Sequence, residues 1–126
     1  MSTVESPVRA YVGANVLQGR RLAPATVVLK GATIVDVLSA DAPIGTARTI
    51  DARGRILAPG FIDTHVHGAR GKNVMMATID AVDVVSEALA RNGVTSFVGA
   101  TASVAIEQLE SSLSGLADCV GSTRPG

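Results

Sequence analysis

The sequence predicts an α/β fold in which a strand-rich first segment leads into alternating strands and helices. Short β-branched runs broken by turn residues fill Val8 to Ala58. Past Pro59-Gly60 the apolar spacing changes from alternation to a helical period of about 3.6 residues. The core palette is Val, Leu, Ile and Ala, with no Trp, one Tyr and two Phe, which suits a buried parallel sheet covered by helices.

The first segment opens with strand-like residues from Val8. Val27-Val28-Leu29 and Thr33-Ile34-Val35-Asp36-Val37 flank Lys30-Gly31-Ala32 and predict a hairpin. Gly45 and Asp51-Ala52-Arg53-Gly54-Arg55 separate two further short strands, around Ala47 to Ile50 and Ile56 to Ala58. The expectation for residues 1–58 is a small antiparallel sheet.

The second segment, 59–126, begins with the apolar strand Phe61 to Val66 and a glycine-bearing loop. A helix is expected from about Thr78 to Asn92, with Thr78 as cap, Asp80 in the first turn, and Ile79, Val82, Val85 and Leu89 facing inward. Gly93 is its stop signal. Val94 to Val98 forms the next strand, and Ile106, Leu109, Leu113, Leu116 and Val120 mark a second helix. The order β-α-β-α implies a parallel sheet with a crossover helix. Two such units precede Ser122-Thr123-Arg124-Pro125-Gly126, whereas a closed eight-unit barrel takes about 250 residues, so the expectation is a truncated barrel or an incomplete open sheet.

Eleven Lys and Arg balance eleven Asp and Glu, and no basic run occurs, which argues against nucleic acid and anionic membranes as partners. No basic-then-apolar leader and no window of roughly 20 apolar residues is present, so a cytoplasmic location is expected. Cys119 stands alone and has no activating base near it in sequence, so it is expected to be a small apolar packing residue.

His65 and His67 are the two histidines of the chain. Two residues apart on a strand, they leave the same face and can grip one cation. Imidazole is the usual ligand of zinc and related divalent ions, and the carboxyl end of a barrel strand is where active sites are built. The competing reading is a pair of polar residues on a solvated sheet face, which the apolar flanks oppose. Asp63 shares their face, but from the beginning of the strand it suits orientation better than catalysis. Arg70 and Lys72 flank Gly71 and could meet a phosphate, although a solvated loop is the plainer expectation for them. Met75 and Met76 suit packing at the helix entrance.

Ala58-Pro59-Gly60-Phe61-Ile62-Asp63-Thr64-His65-Val66-His67, preceded by Ile50 to Leu57, resembles the opening of the amidohydrolase superfamily. The resemblance extends from about Val8 to Val120 and is greatest to N-acetylglucosamine-6-phosphate deacetylases. It rests on His67-Gly68-Ala69-Arg70-Gly71, Met75-Met76-Ala77-Thr78, Gly93-Val94-Thr95-Ser96-Phe97 and Thr101-Ala102-Ser103. Asn73 and Met76 stand where those enzymes often carry acidic residues.

The resemblance implies the N-terminal strands of a small β-sandwich, 1–58, and the first two units of a TIM-type (β/α)8 barrel, 59–126. It also implies a homodimer and one or two divalent metals held partly by His65 and His67, with zinc first and iron, manganese or cobalt as alternatives. Some such deacetylases replace the histidine pair with amide side chains and work with one metal. The implied reaction converts N-acetylglucosamine-6-phosphate to glucosamine-6-phosphate and acetate. The remaining metal ligands and the catalytic aspartate of the family lie outside this segment, so the segment alone is expected to be inactive. Alternatives are a cyclic amidase of the dihydroorotase or hydantoinase kind, a hydrolase of N-acyl amino acids or dipeptides, or a non-catalytic fragment.

Overall fold

The computed structural model describes residues 7–125 and divides the chain into two compact units, Met1–Pro59 and Gly60–Gly126. Among the described residues, no helix is long and apolar enough to cross a membrane.

The first unit is one five-stranded sheet: β1 (Val8–Gln18), β2 (Arg21–Lys30), β3 (Thr33–Ser39), β4 (Arg48–Asp51) and β5 (Ile56–Leu57). β1, β2 and β3 form an antiparallel meander. Each of its two-residue turns starts with a glycine at positive φ, Gly19 at 61° and Gly31 at 62°, as tight hairpins require.

The rest of the unit departs from the expected antiparallel arrangement, because β4 and β5 both run parallel to β1. The connection over residues 40–47 carries the chain to the far side of β1 and returns it in β1's own direction. Strand periodicity carries no direction, so this could not be seen locally. The five strands form a single hydrogen-bonded sheet. Its packed face is Ala14, Val16, Ala25, Val27 and Ala52, flanked by Tyr11, Leu29 and Leu57. Ile34, Val35 and Val37 on edge strand β3 stay exposed.

A bulge in β1 between Tyr11 and Ala14, with Gly13 at φ 76°, separates the stretch that pairs with β4 from the stretch that pairs with β5. The intervening turn is closed by the Asp51 carboxylate, which accepts from the Arg53 backbone N–H at 3.0 Å and from Arg53 Nη2 at 2.7 Å. Those bonds hold the Asp51 carboxyl down to about 2.

The second unit runs β6 (Phe61–Val66), β7 (Gly68–Ala69), β8 (Lys72–Asn73), a 3-10 turn (Val74–Met76), α1 (Ile79–Ala90), β9 (Val94–Gly99), α2 (Ile106–Leu116) and a second 3-10 turn (Ala117–Cys119). β6 and β9 pair in parallel across α1, in agreement with the β-α-β reading. Thr78 Oγ1 accepts from the Ala81 N–H at 3.2 Å, Asp80 occupies the first turn, and Gly93 follows the helix at φ 81°.

The inward face of α1 is Ala81, Val82, Val85 and Ala88. Ile79 is 55% exposed, contrary to expectation. At about 100° per residue it lies roughly 120° around the helix from Val85, off the packed stripe. α2 departs further: it ends at Leu116, short of Val120, Ile106 and Leu113 are exposed, Leu109 and Leu116 are half-buried, and Ser112 is the buried residue. It docks through small residues: Ser112 Oγ donates to the Met75 carbonyl at 3.2 Å, and Gly115 passes so close to Ala77 that a Cβ there would lie 2.8 Å from the Ala77 Cβ. Small side chains let backbones approach, and the apolar stripe is thereby turned away from that contact.

Candidate metal centre

β6 delivers both histidines. His65 is its penultimate residue and His67 follows its end, so alternation sends both rings to one side while Val66 between them is buried. The rings meet edge to face, with centroids 4.8 Å apart, an interplanar angle of 83° and an Nε2 to Nε2 separation of 3.1 Å. Both residues are exposed, contrary to the buried setting that the apolar flanks suggest; of those flanks Val66 is buried, while Phe61 and Ile62 are themselves exposed.

Three contacts hold this arrangement. Asp63 Oδ1 accepts from the His65 backbone N–H at 3.1 Å. The Val74 N–H bonds the His67 carbonyl at 2.9 Å, and the Ala100 N–H bonds the Val66 carbonyl at 2.8 Å. The last contact brings the Ala100 carbonyl within 3.0 Å of His67 Nδ1. A carbonyl oxygen can only accept, so the proton of His67 sits on Nδ1 and its Nε2 lone pair faces His65. Nothing in the residue type Ala marks position 100 for this task, since any backbone carbonyl serves.

The pair has the dimensions of two ligands on one ion. Nitrogens about 2.0–2.1 Å from a tetrahedral zinc stand roughly 3.3–3.4 Å apart, and a carbonyl on the far ring nitrogen is the usual second partner of a metal-bound histidine. Among the described residues no group of three or more His, Cys, Asp or Glu side chains could hold a metal, so the two imidazoles stand for half of a tetrahedral shell. The Asp63 carboxylate does not join them in such a group.

The loop after the histidines is a miniature hairpin. β7 and β8 pair antiparallel, Gly68 opposite Asn73 and Ala69 opposite Lys72, around a two-residue turn of Arg70 at φ 52° and Gly71 at φ 76°. Lys72 Nζ reaches Asp80 Oδ2 at 3.0 Å. The Arg70 side chain is exposed. Asn73 Oδ1 accepts from the Met76 N–H at 3.1 Å and so caps the 3-10 turn. Met75 is half-buried and Met76 exposed in that turn.

Cys119 lies elsewhere, in a cleft of about 980 Å³ shared with Val82, Val94, Leu113, Leu116 and Val120. Neither histidine lines that cleft.

Comparison with known proteins matches residues 48–106 to the Amidohydrolase family. An N-acetylglucosamine-6-phosphate deacetylase of Vibrio furnissii is 41% identical over 61 residues, covering 48% of this chain and 15% of that protein. An adenine deaminase of Cereibacter sphaeroides is 45% identical over 67 residues, covering 40% of this chain and 12% of that protein. Among solved structures, N-acetyl-D-glucosamine-6-phosphate deacetylase from Mycobacterium smegmatis superposes with a TM-score of 0.72 at 34% identity, over 90% of this chain and 32% of that one. The chain therefore spans about a third or less of the length of these proteins.

Proposed function

We propose that this chain, which is most like the N-terminal portion of N-acetylglucosamine-6-phosphate deacetylases of the amidohydrolase superfamily, supplies two metal ligands, His65 and His67, to an amide hydrolase. Its substrate is the acetamide of an amino-sugar phosphate, N-acetylglucosamine-6-phosphate first. The observation that carries the reading is the 3.1 Å approach of two imidazole nitrogens, one of them held as a bare lone pair by the Ala100 carbonyl.

His65 and His67 would hold a divalent cation, which would supply Lewis acidity toward the amide carbonyl and the activation of water near neutral pH. Zinc, a usual partner of imidazole nitrogen, is the first candidate, with iron, manganese and cobalt as alternatives. The chain's own residues do the positioning. Ala100 fixes the His67 tautomer, Asp63 fixes the backbone at His65, and the Val74 bond fixes the turn at His67. With two imidazoles and no third metal-binding side chain grouped with them among the described residues, the 126-residue chain alone should bind metal weakly and release no acetate.

The test is acetate release from N-acetylglucosamine-6-phosphate by the complete, zinc-loaded gene product. Turnover that disappears in His65→Ala and His67→Ala supports the reading, and its absence in the loaded wild type ends it. The adenine deaminase likeness favours a second reading, hydrolytic deamination of a heterocycle. Ammonia released from adenine, without acetate from the sugar phosphate, would select it. Dihydroorotate, hydantoin and N-acyl amino acids complete the panel.

A further inference from the structure

We infer that Val74 and Gly99 are positioning residues for His67: the valine side chain fills the space that a side chain at position 99 would take, and this contact couples the two elements that hold the ring. The inference rests on the metal-site reading of the histidine pair.

The first argument is where His67 gets its support. β6 and β9 fall out of step between Asp63 and Val66, where three residue steps of β6 run beside two of β9 before pairing resumes with Val66 opposite Gly99. An extra residue of this kind breaks the ladder locally and re-aims the side chains beside it. The regular part of the strand therefore does not fix His67. Three bonds beyond the irregularity do so. The Ala100 N–H bonds the Val66 carbonyl at 2.8 Å, the Ala100 carbonyl lies 3.0 Å from His67 Nδ1, and the Val74 N–H bonds the His67 carbonyl at 2.9 Å. Each of the three comes from Ala100 or from Val74.

The second argument is steric. Gly99, the residue before Ala100, is not at positive φ, so backbone conformation does not explain a glycine there. Space does. A Cβ at position 99 would lie 3.3 Å from Val74 Cγ1, tighter than ordinary contact between carbons. Val74 is 2% exposed and β-branched, so its side chain has few rotamers into which it could withdraw. The two supports of His67 thus meet at this contact.

The third argument is that Val74 is pinned. Its carbonyl accepts from the Ala77 N–H at 3.0 Å, the Met75 carbonyl accepts from the buried Ser112 hydroxyl at 3.2 Å, and Asn73 Oδ1 accepts from the Met76 N–H at 3.1 Å. A methyl at position 99 has to displace either this turn or the Gly99–Ala100 backbone, and both end on His67. A metal ligand has to stay within about 0.5 Å of its bonding geometry, so a shift of a few tenths of an ångström is felt at the ring nitrogen.

The experiment measures zinc affinity of the complete gene product by competition with a chromophoric chelator, together with the Nδ1–H NMR resonance of His67, identified by its loss in His67→Ala. Gly99→Ala and Val74→Ala should each weaken zinc binding by about 10-fold, the low end for losing an outer support of a ligand, and should move that resonance. In the double variant the new methyl enters the space vacated at position 74, so the combined loss should be smaller than the product of the two single losses. Val85→Ala, at a fully buried position on α1, is the control for lost packing: it should lower the thermal midpoint and leave zinc affinity within about twofold. If Gly99→Ala does not fold, Val74→Ala carries the test against the same control. Wild-type zinc affinity with an unmoved resonance in the single variants, losses that multiply in the double variant, or an equal loss of zinc in Val85→Ala overturns the inference. His65→Ala and His67→Ala separate it from the reading beneath it. Zinc lost in both of these but retained in Gly99→Ala and Val74→Ala removes this inference alone, whereas zinc retained in both removes the metal site and this inference with it.

Discussion

Thr26 offers a test of the packing in the first unit. It lies on β2 opposite Leu38 of β3 and beside the β1 bulge, between the pairs formed by Val27 and Ala25. It is fully buried, and its hydroxyl has no hydrogen-bond partner among the described residues. Leaving a buried hydroxyl unpaired costs about 1–3 kcal/mol relative to solvating it in the unfolded chain. Thr26→Val keeps the branched shape, removes that cost and raises strand propensity, so a gain of about 1 kcal/mol is expected. For a domain of 60–100 residues this corresponds to about 4–8 °C in thermal midpoint. Thr26→Ser keeps the unpaired hydroxyl but loses a buried methyl, and should cost about 1 kcal/mol. Thermal and urea unfolding of the two variants beside wild type measure both signs. A Thr26→Val variant less stable than wild type would show that the hydroxyl is satisfied, and would refute the reasoning.

At the histidine site, His65→Ala and His67→Ala should each lower bound zinc and turnover of the complete protein by more than the roughly 10–100-fold typical of losing a supporting partner, as metal analysis and acetate release would show. Arg70→Asn should raise stability by up to about 1 kcal/mol in denaturant titration, since the turn is relieved of a disfavoured residue. Gly115→Ala sets a helix-propensity gain of about 1 kcal/mol against a Cβ placed 2.8 Å from both the Cβ and the carbonyl oxygen of Ala77. The clash, about 1–3 kcal/mol, should win, and an unchanged midpoint would mean that α2 can shift freely. The Asp51 carboxyl, held at about 2 against an ordinary 3.8, favours the folded turn above its ordinary range. That contribution is lost as pH falls from about 4 through 2, and carboxyl NMR shifts of Asp51 should titrate in that lower window.

Features set by neighbours in the chain are legible in the order of residues alone. The Gly31 hairpin, the Thr78 cap with Asp80 behind it, the Gly93 stop and the β-α-β order of the second unit all follow from local backbone preference and short-range hydrogen bonding. The common face of His65 and His67 follows from strand alternation in the same way. Ile79 could have been removed from the inward face by angle alone, because its distance around the helix from Val85 is fixed by its position.

By itself, then, the sequence determined most of the strands, the cap and stop of the first helix, and that two imidazoles emerge side by side. Only the tertiary structure decided that β4 and β5 run with β1, and that α2 docks through Ser112 and Gly115 and not through its leucines. It also decided that Lys72 is taken by Asp80 while Arg70 has no partner among the described residues, and that the carbonyl of Ala100, 33 residues away, sets the tautomer of His67. The physical reason is common to these cases. Local propensity depends on the identity of a residue and its near neighbours, whereas strand direction, helix docking and the partner of a charge or ring nitrogen depend on which distant backbone and side chains folding brings alongside.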